Sequence, residues 1–232
     1  MLLPTAVRRS AALLGLLLSL GCGNAASAPS DPRAIEPAPS SSASSPVSDA
    51  APPATYGEYP AGPYGFRVGQ TFPDISIDGY IGAAGDWKSI ALADYYDPDG
   101  ARGVRGLYLT VSAPWCPACV SEAKTLPAAY ASTYRGRGAR LLTVLPQDGD
   151  SKPATRATID AWIASFKTNY DIAADPALLS VEHDASGGGT LALPYNYVID
   201  PRTMKIVQIN SGAFFVPGGI PGLDALLKKN GG

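Results

Sequence analysis

Histidine and cysteine are scarce in this 232-residue chain, which has one histidine and three cysteines. Charged residues are also few, at 16%, and the formal net charge of −2 gives no electrostatic basis for binding nucleic acid or an anionic membrane surface. A zinc site normally takes four ligands of the Cys or His type, and after Cys22 the chain offers only Cys116, Cys119 and His183. We therefore expect no metal and no cofactor, and we place His183 in a surface loop.

The chain also lacks an apolar run of the roughly 20 residues that a membrane-spanning helix needs. Arg8 and Arg9 precede a shorter apolar run at residues 11–20, a combination typical of a secretory signal. The run ends at Gly21-Cys22, in a segment that resembles a bacterial lipobox, where the Cys is lipidated and becomes the mature N-terminus. We predict that residues 1–21 are a signal peptide and that Cys22 carries a lipid anchor. An ordinary signal peptide with an incidental Cys22 is the alternative.

Large apolar residues are nearly missing from the segment that follows. Ala, Pro and Ser dominate residues 22–63, and such a segment cannot bury enough surface to offset the entropy lost on ordering. We predict that it is a disordered linker that holds a folded domain, residues 64–232, away from a membrane.

The predicted domain alternates strand and helix patterns. Residues 107–111 and 140–145 are apolar at nearly every position, as expected of strands buried on both faces. Between residues 159 and 170, apolar residues recur at helical spacing, which predicts one helix with a continuous apolar face. The remaining elements are predicted as strands near 75–77, 90–92, 195–200 and 204–209, a turn at 201–203 and a helix at 221–229. The order β-(βαβ)-α-ββ-α indicates an α/β domain.

The motif that points to chemistry is Trp115-Cys116-Pro117-Ala118-Cys119. It lies between a buried strand and a segment compatible with a helix, 120–134, and in this context a CxxC pair is typical of a redox site. Cys116 would lie at the helix N-terminus, where the dipole and free backbone N–H groups favour a thiolate. Cys119 would lie one turn further on, on the same side and more covered. A structural disulfide or half of a zinc site are the alternatives.

These residues also resemble a known family. The WCxxC motif after a buried strand, with Leu193-Pro194-Tyr195 leading into a later strand, resembles thioredoxin-fold proteins, and in particular the exported TlpA/ResA-like thiol–disulfide oxidoreductases. The segment 68–74 and Glu122, three residues after the second cysteine, are similar to that group as well. The resemblance covers residues 64–232. It implies a thioredoxin-like fold, a central mixed β-sheet flanked by helices, with the CxxC at the N-terminus of the first long helix.

The resemblance further implies roles for individual residues. Cys116 and Cys119 would be the catalytic pair, with Trp115 covering them and Pro117 presetting the first helical turn. Pro194 would be cis and would place the backbone of Leu193 opposite Cys116, where it could pair with an extended client.

Four positions depart from the family pattern. Leu193 and Tyr195 flank the proline where Val or Thr and then Thr are common, and Thr110 occupies the position of a buried Asp in thioredoxin. Pro127 lies further from the second cysteine than the usual helix-kinking proline. These departures bear on client contact, redox direction and rate.

From these patterns we expect a monomeric protein-disulfide oxidoreductase, lipid-anchored on the periplasmic side of a bacterial membrane. It would act as a reductant on exported protein thiols and disulfides, with electrons from an upstream redox donor. Two other functions remain open. A thiol peroxidase shares the fold, although the usual Pro-x-x-x-Thr/Ser-x-x-Cys pattern is absent here. A copper-delivery module of the same fold would normally have CxxxC spacing and a distal histidine, instead of CxxC.

Overall fold

A computed structural model describes residues 58–177, 192–213 and 219–232. The chain divides into two units, Met1–Ala50 and Ala51–Gly232, and every described residue belongs to the second. The predicted signal peptide, Cys22 and His183 lie outside the described residues, as does the predicted linker up to residue 57. The last residues of that linker are described, and Tyr59 packs against the core with its hydroxyl donating to Phe72 O at 2.7 Å.

In the described part of the chain, seven strands form one mixed sheet in the order β2-β1-β5-β4-β3-β6-β7. The strands are β1 Ser76–Tyr80, β2 Lys88–Ala91, β3 Gly106–Val111, β4 Ala139–Leu145, β5 Asp171–Ala174, β6 Tyr195–Asp200 and β7 Lys205–Ser211. The central strands β3, β4 and β5 are parallel, and the outer pairings are antiparallel. The predicted α/β sheet with flanking helices is therefore confirmed.

The described helices cover the faces of this sheet. They are α1 Pro117–Ala123, α2 Leu126–Ala129, α3 Arg156–Phe166 and α4 Pro221–Lys229, with 3-10 turns at Ile81–Ala83, Leu92–Tyr95 and Arg135–Arg137 and a π-helical turn at Tyr130–Tyr134. Every residue of β3 is buried, and Leu107 and Leu109 belong to a different apolar cluster from Tyr108. Side chains of a strand alternate between faces, so both faces of β3 pack against apolar layers, as its continuous apolar sequence predicts.

The helix after the CxxC motif is broken rather than continuous. Proline has no N–H, so residue 127 cannot donate to the carbonyl four residues earlier, and α1 ends at Ala123. Thr125 instead closes the turn, with both its N–H and its Oγ1 donating to Glu122 O at 3.0 and 2.9 Å. Pro127 thus interrupts the helix, which ends at Ala123, one turn after Cys119.

The predicted helix from 159 to 170 is wrong at its end. α3 stops at Phe166 because Lys167 adopts the left-handed conformation, with φ 56° and ψ 39°. Tyr170 is therefore not on the helix, and it leads into β5, a strand that the sequence pattern did not predict. β5 has the sequence Asp-Ile-Ala-Ala and lies buried between β4 and β1. Its close approach to β1 needs a glycine, because a Cβ at Gly79 would meet Ile172 O and Ala173.

The buried position of β5 can be tested by the substitution Ile172→Ala. Ile172 is fully buried, so we expect the free energy of unfolding to fall by about 2–5 kcal/mol through lost burial and a residual cavity. Urea denaturation with the disulfide intact measures the change. Val207→Ala on the edge strand β7, where the side chain is 39% exposed, should change it by no more than roughly 0.5 kcal/mol. Equal effects of the two substitutions would contradict the central placement of β5.

Candidate functional site

Cys116 and Cys119 form a disulfide at the junction between β3 and α1. Their Cα atoms are 5.2 Å apart. Cys116 retains 5% exposure and Cys119 has none, so a partner molecule can approach the first sulfur and not the second. The pair thus consists of one cysteine that retains slight exposure and one that is fully buried.

The backbone at this junction presents a hydrogen-bond donor to the outer sulfur. Cys116 is the N-cap of α1, in an extended conformation with φ −90° and ψ 111°, and its Sγ accepts the N–H of Cys119 at 3.2 Å. Pro117 occupies the first helical turn, where its missing N–H leaves no helical hydrogen bond unmade. Because a thiolate is stabilised by a backbone N–H aimed at it, this geometry favours the anionic form of Cys116 once the disulfide is reduced.

The loop before β6 lies against the same sulfur. The Leu193–Pro194 peptide bond is cis, and Leu193 O lies 3.4 Å from Cys116 Sγ. The end of β7 holds this loop in place, since Gly212 N–H donates to Pro194 O at 2.8 Å and Ser211 Oγ donates to Ala192 O at 2.9 Å. The half-buried Leu193 therefore presents its backbone beside the reactive position.

Trp115 is fixed by a residue that sequence reasoning missed. The residue is 44% exposed, and the expected role of its ring as a cover over the sulfur pair stays a prediction. Its Nε1 donates to Gln147 Oε1 at 3.1 Å. Gln147 follows the end of β4, and because β3 and β4 are parallel, residues after both strands meet at the same edge of the sheet. That rule is the signal by which Gln147 could have been found.

A buried carboxyl lies on the same helix as the inner sulfur. Glu122 is 2% exposed and follows Cys119 by one helical turn. Its Oε1 accepts the Tyr108 hydroxyl at 3.1 Å and the Thr110 hydroxyl at 3.5 Å. Burial, with the neighbouring Glu122 carboxylate, raises the pKa of Tyr108 well above its usual value of 10, so Tyr108 stays a neutral donor. Sequence reasoning noted Glu122 only as part of the family resemblance and did not include it in the site.

Six residues predicted for the site are therefore neighbours along two chain segments: Trp115, Cys116, Pro117, Cys119, Leu193 and Pro194. Their roles in any reaction stay predictions. Cys22, the predicted lipid anchor, is outside the described residues. Among the residues that the structure describes, no three His, Cys, Asp or Glu side chains lie close enough together to hold a metal ion.

Comparisons with known proteins gave no match for the sequence and clear matches for the structure. No protein-family model and no curated protein matches the sequence. Solved structures do match. A secreted thiol-disulfide isomerase from Corynebacterium glutamicum has a TM-score of 0.53 at 16% identity, with 72% of this chain and 99% of that chain covered.

Two further structures agree with that match. The thioredoxin domain of a thiol-disulfide oxidoreductase from Bacteroides vulgatus has a TM-score of 0.50 at 14% identity and covers 71% of this chain and 99% of its own. A proposed thiol:disulfide interchange protein DsbE from Chlorobium tepidum has a TM-score of 0.50 at 19% identity, with 72% and 99% covered. At these identities the likeness establishes a shared fold, and it confirms the fold class predicted from the sequence.

Proposed function

We propose that this thioredoxin-fold protein is a thiol–disulfide oxidoreductase that reduces disulfides of exported proteins through Cys116 and Cys119. The observation that carries the proposal is the Cys116–Cys119 disulfide, whose outer sulfur meets both the Cys119 N–H and the Leu193 carbonyl. The solved structures with the same fold include proteins described as a thiol-disulfide oxidoreductase and a thiol-disulfide isomerase. Their names support the assignment of the chemistry.

The first step uses the reduced form of the pair. The Cys116 thiolate attacks one sulfur of the client disulfide, the client S–S bond breaks, and the other client sulfur leaves as a thiolate that takes a proton from solvent. The Cys119 N–H stabilises the attacking anion. The product of this step is a mixed disulfide between Cys116 and the client.

The client is held by backbone contacts on the other side of the sulfur. Leu193 O lies 3.4 Å from Cys116 Sγ, so an extended client segment that reaches Cys116 passes the backbone of residue 193 at hydrogen-bonding distance. Such strand-like pairing binds the client through its main chain and tolerates many sequences. Pro194 contributes no N–H to this pairing and is buried, which leaves residue 193 as the contact.

The second step releases the client. Cys119 attacks Cys116 Sγ, the S–S bond to the client breaks, and the Cys116–Cys119 disulfide forms. The second client sulfur leaves as a thiolate that takes a proton from solvent, so the client is released as a dithiol. The buried Cys119 thiol must lose a proton for this step, and Glu122 is the buried carboxylate one helical turn away. We assign Glu122 as the acceptor of that proton, with Tyr108 and Thr110 holding its carboxylate in place. An upstream dithiol then supplies two electrons to restore the reduced pair.

The location of the protein belongs to the same proposal and rests on the sequence. Residues 1–21 act as an export signal, Cys22 carries the lipid anchor, and the linker lets a monomeric domain face its clients on the periplasmic side of a bacterial membrane. In the described part of the chain, no helix has the length and apolar character needed to cross a membrane.

The proposal is tested by trapping clients and by reducing insulin. We expect Cys119→Ser to accumulate mixed disulfides through Cys116, because the second step is lost while the first remains. Cys116→Ser should trap none. Both variants should reduce insulin more slowly than the wild type by a factor of at least about 10³, since catalytic residues that act as a unit fail together. Non-reducing gels of the full-length protein in cells, with mass spectrometry, identify the adducts.

The same preparations distinguish the alternatives that share this fold. A wild-type protein that reduces no disulfide, with a Cys119→Ser variant that traps nothing, would contradict oxidoreductase activity. Peroxide consumption above that of a cysteine-free control would then favour a thiol peroxidase. Stoichiometric copper binding that is lost in His183→Ala would favour copper delivery.

The role of Glu122 predicts a selective defect in Glu122→Gln. We expect the second step to slow by about two orders of magnitude at neutral pH, as is typical for loss of a general base. The attack of Cys116 on a small aromatic disulfide should keep its rate, because that step needs no proton from Cys119. Stopped-flow mixing resolves the two steps across a pH series. Glu122 would be only structural if the Glu122→Gln variant slowed both steps equally, or if its second step ran at the wild-type rate.

The direction of transfer is tested by the reduction potential of the Cys116–Cys119 pair. A reductant should have a potential near the −270 mV of thioredoxin, whereas a value near the roughly −120 mV of DsbA would indicate an oxidant. Equilibration with glutathione buffers and thiol alkylation measures it, with Cys116→Ser as the control that has no such couple. An oxidising value would overturn the direction and leave the exchange chemistry in place.

A further inference from the structure

A second concave site lies at the other end of the sheet. It has a volume of about 250 Å³ and is lined in part by Arg102, Arg135, Arg140 and the ring of Tyr130. The other lining residues precede β3 or lie at the start of β4, whereas Cys116 follows the end of β3. Six strand residues at about 3.3 Å each separate the two sites by roughly 20 Å. The arginine pocket, as we call it, is therefore independent of the disulfide and of the function proposed for it.

Arg140 is the residue that makes this pocket unusual. Its side chain is half-buried at the start of β4, yet it makes no hydrogen bond and no ion pair within residues 58–177, 192–213 and 219–232. Partly burying a cation without a partner costs free energy. The charge of Arg140 acts on Tyr95, whose hydroxyl donates to Asp171 at 2.9 Å, and the other oxygen of Asp171 accepts Gly82 N–H at 2.7 Å.

The other two guanidinium groups are held in position by the protein. Arg135 stacks on Tyr130, with its guanidinium carbon 4.8 Å from the ring centroid, and Nη2 donates to Asn169 O at 2.6 Å. Arg102 donates to the carbonyls of Tyr96 and Asp94 at 3.1 and 2.6 Å. The contacts of Arg135 use a ring face and a neutral backbone oxygen, so they orient this cation without neutralising it. No carboxylate is among the residues that line the pocket.

We propose that the arginine pocket binds a phosphate group, with Arg140 as its principal ligand. A guanidinium presents a planar fork of N–H donors that matches two phosphate oxygens, and such charge-assisted pairs are stronger than neutral hydrogen bonds. A group with up to two negative charges matches the two cations Arg140 and Arg135 better than a single carboxylate does. The phosphate is either a free anion or part of an anionic lipid headgroup, since both present the same oxygens.

The free anion is tested by titrating the full-length protein, in detergent, with inorganic phosphate at low ionic strength. We expect saturable binding of one phosphate by isothermal calorimetry, and a dissociation constant at least about tenfold weaker in Arg140→Gln. Arg135→Gln should weaken binding as well. Lys152→Gln removes the same charge at an exposed position outside the pocket and should bind as the wild type does.

The headgroup is tested by flotation with vesicles of phosphatidylglycerol and phosphatidylcholine, compared with vesicles of phosphatidylcholine alone, using a Cys22→Ser form without the predicted lipid. Binding that needs phosphatidylglycerol and is lost in Arg140→Gln would identify the lipid source. Phosphate binding without vesicle binding would identify the free anion. Thermal unfolding checks that each variant is folded. The proposal is overturned if folded Arg140→Gln and Lys152→Gln behave alike in both assays, or if the wild type binds neither ligand.

Discussion

The antiparallel pairing of β3 with β6 is the constraint on which the candidate site depends. In this pairing Val111 lies opposite Tyr195, so the end of one strand meets the start of the other. Cys116 follows β3 by five residues and Pro194 immediately precedes β6, and the pairing therefore brings together segments that are far apart in the sequence. The parallel neighbour β4 adds Gln147 at the same edge. The surface of the site is thus set by strand order, and the side chains that complete it come from three separate loops.

The parts of this arrangement that the sequence predicted are those with strong local signals. The continuous apolar runs of β3 and β4, the CxxC spacing and the apolar face of α4 each depend on residues close together in the chain. β5 had no such signal, because a short central strand beside a glycine of β1 takes small residues, and Asp-Ile-Ala-Ala has little strand character of its own. Its position comes from tertiary packing between β1 and β4. Lys167 likewise ended α3 through a left-handed conformation that its side-chain type did not predict.

Glu122 illustrates why the polar interior of a site is harder to predict than its reactive residues. From the sequence, Thr110 in place of the buried Asp of thioredoxin was expected to bear on redox direction and rate. In the folded chain the Thr110 hydroxyl instead contacts a carboxylate on α1, so the acid group reaches the same region from the helix rather than from the strand. Only the packing of α1 against β3 makes residues 110 and 122 neighbours. The carboxylate and its Tyr108 donor are each almost fully buried, and a polar pair of this kind is retained in a core only when both members are satisfied.

The two ends of the sheet differ in their electrostatics as well as in their residues. At the disulfide end, the hydrogen-bonding groups that the described residues place beside Cys116 Sγ are a backbone N–H and a backbone C=O, neither of which carries a full charge. At the other end, three arginines line one pocket with no carboxylate among its lining residues. An anion bound there would be separated from Cys116 by roughly 20 Å, about twice the Debye length at 0.1 M salt. The charge of the anion would therefore change the thiolate stability of Cys116 very little. Any effect of the bound anion on turnover would have to come from a change in the position of the domain.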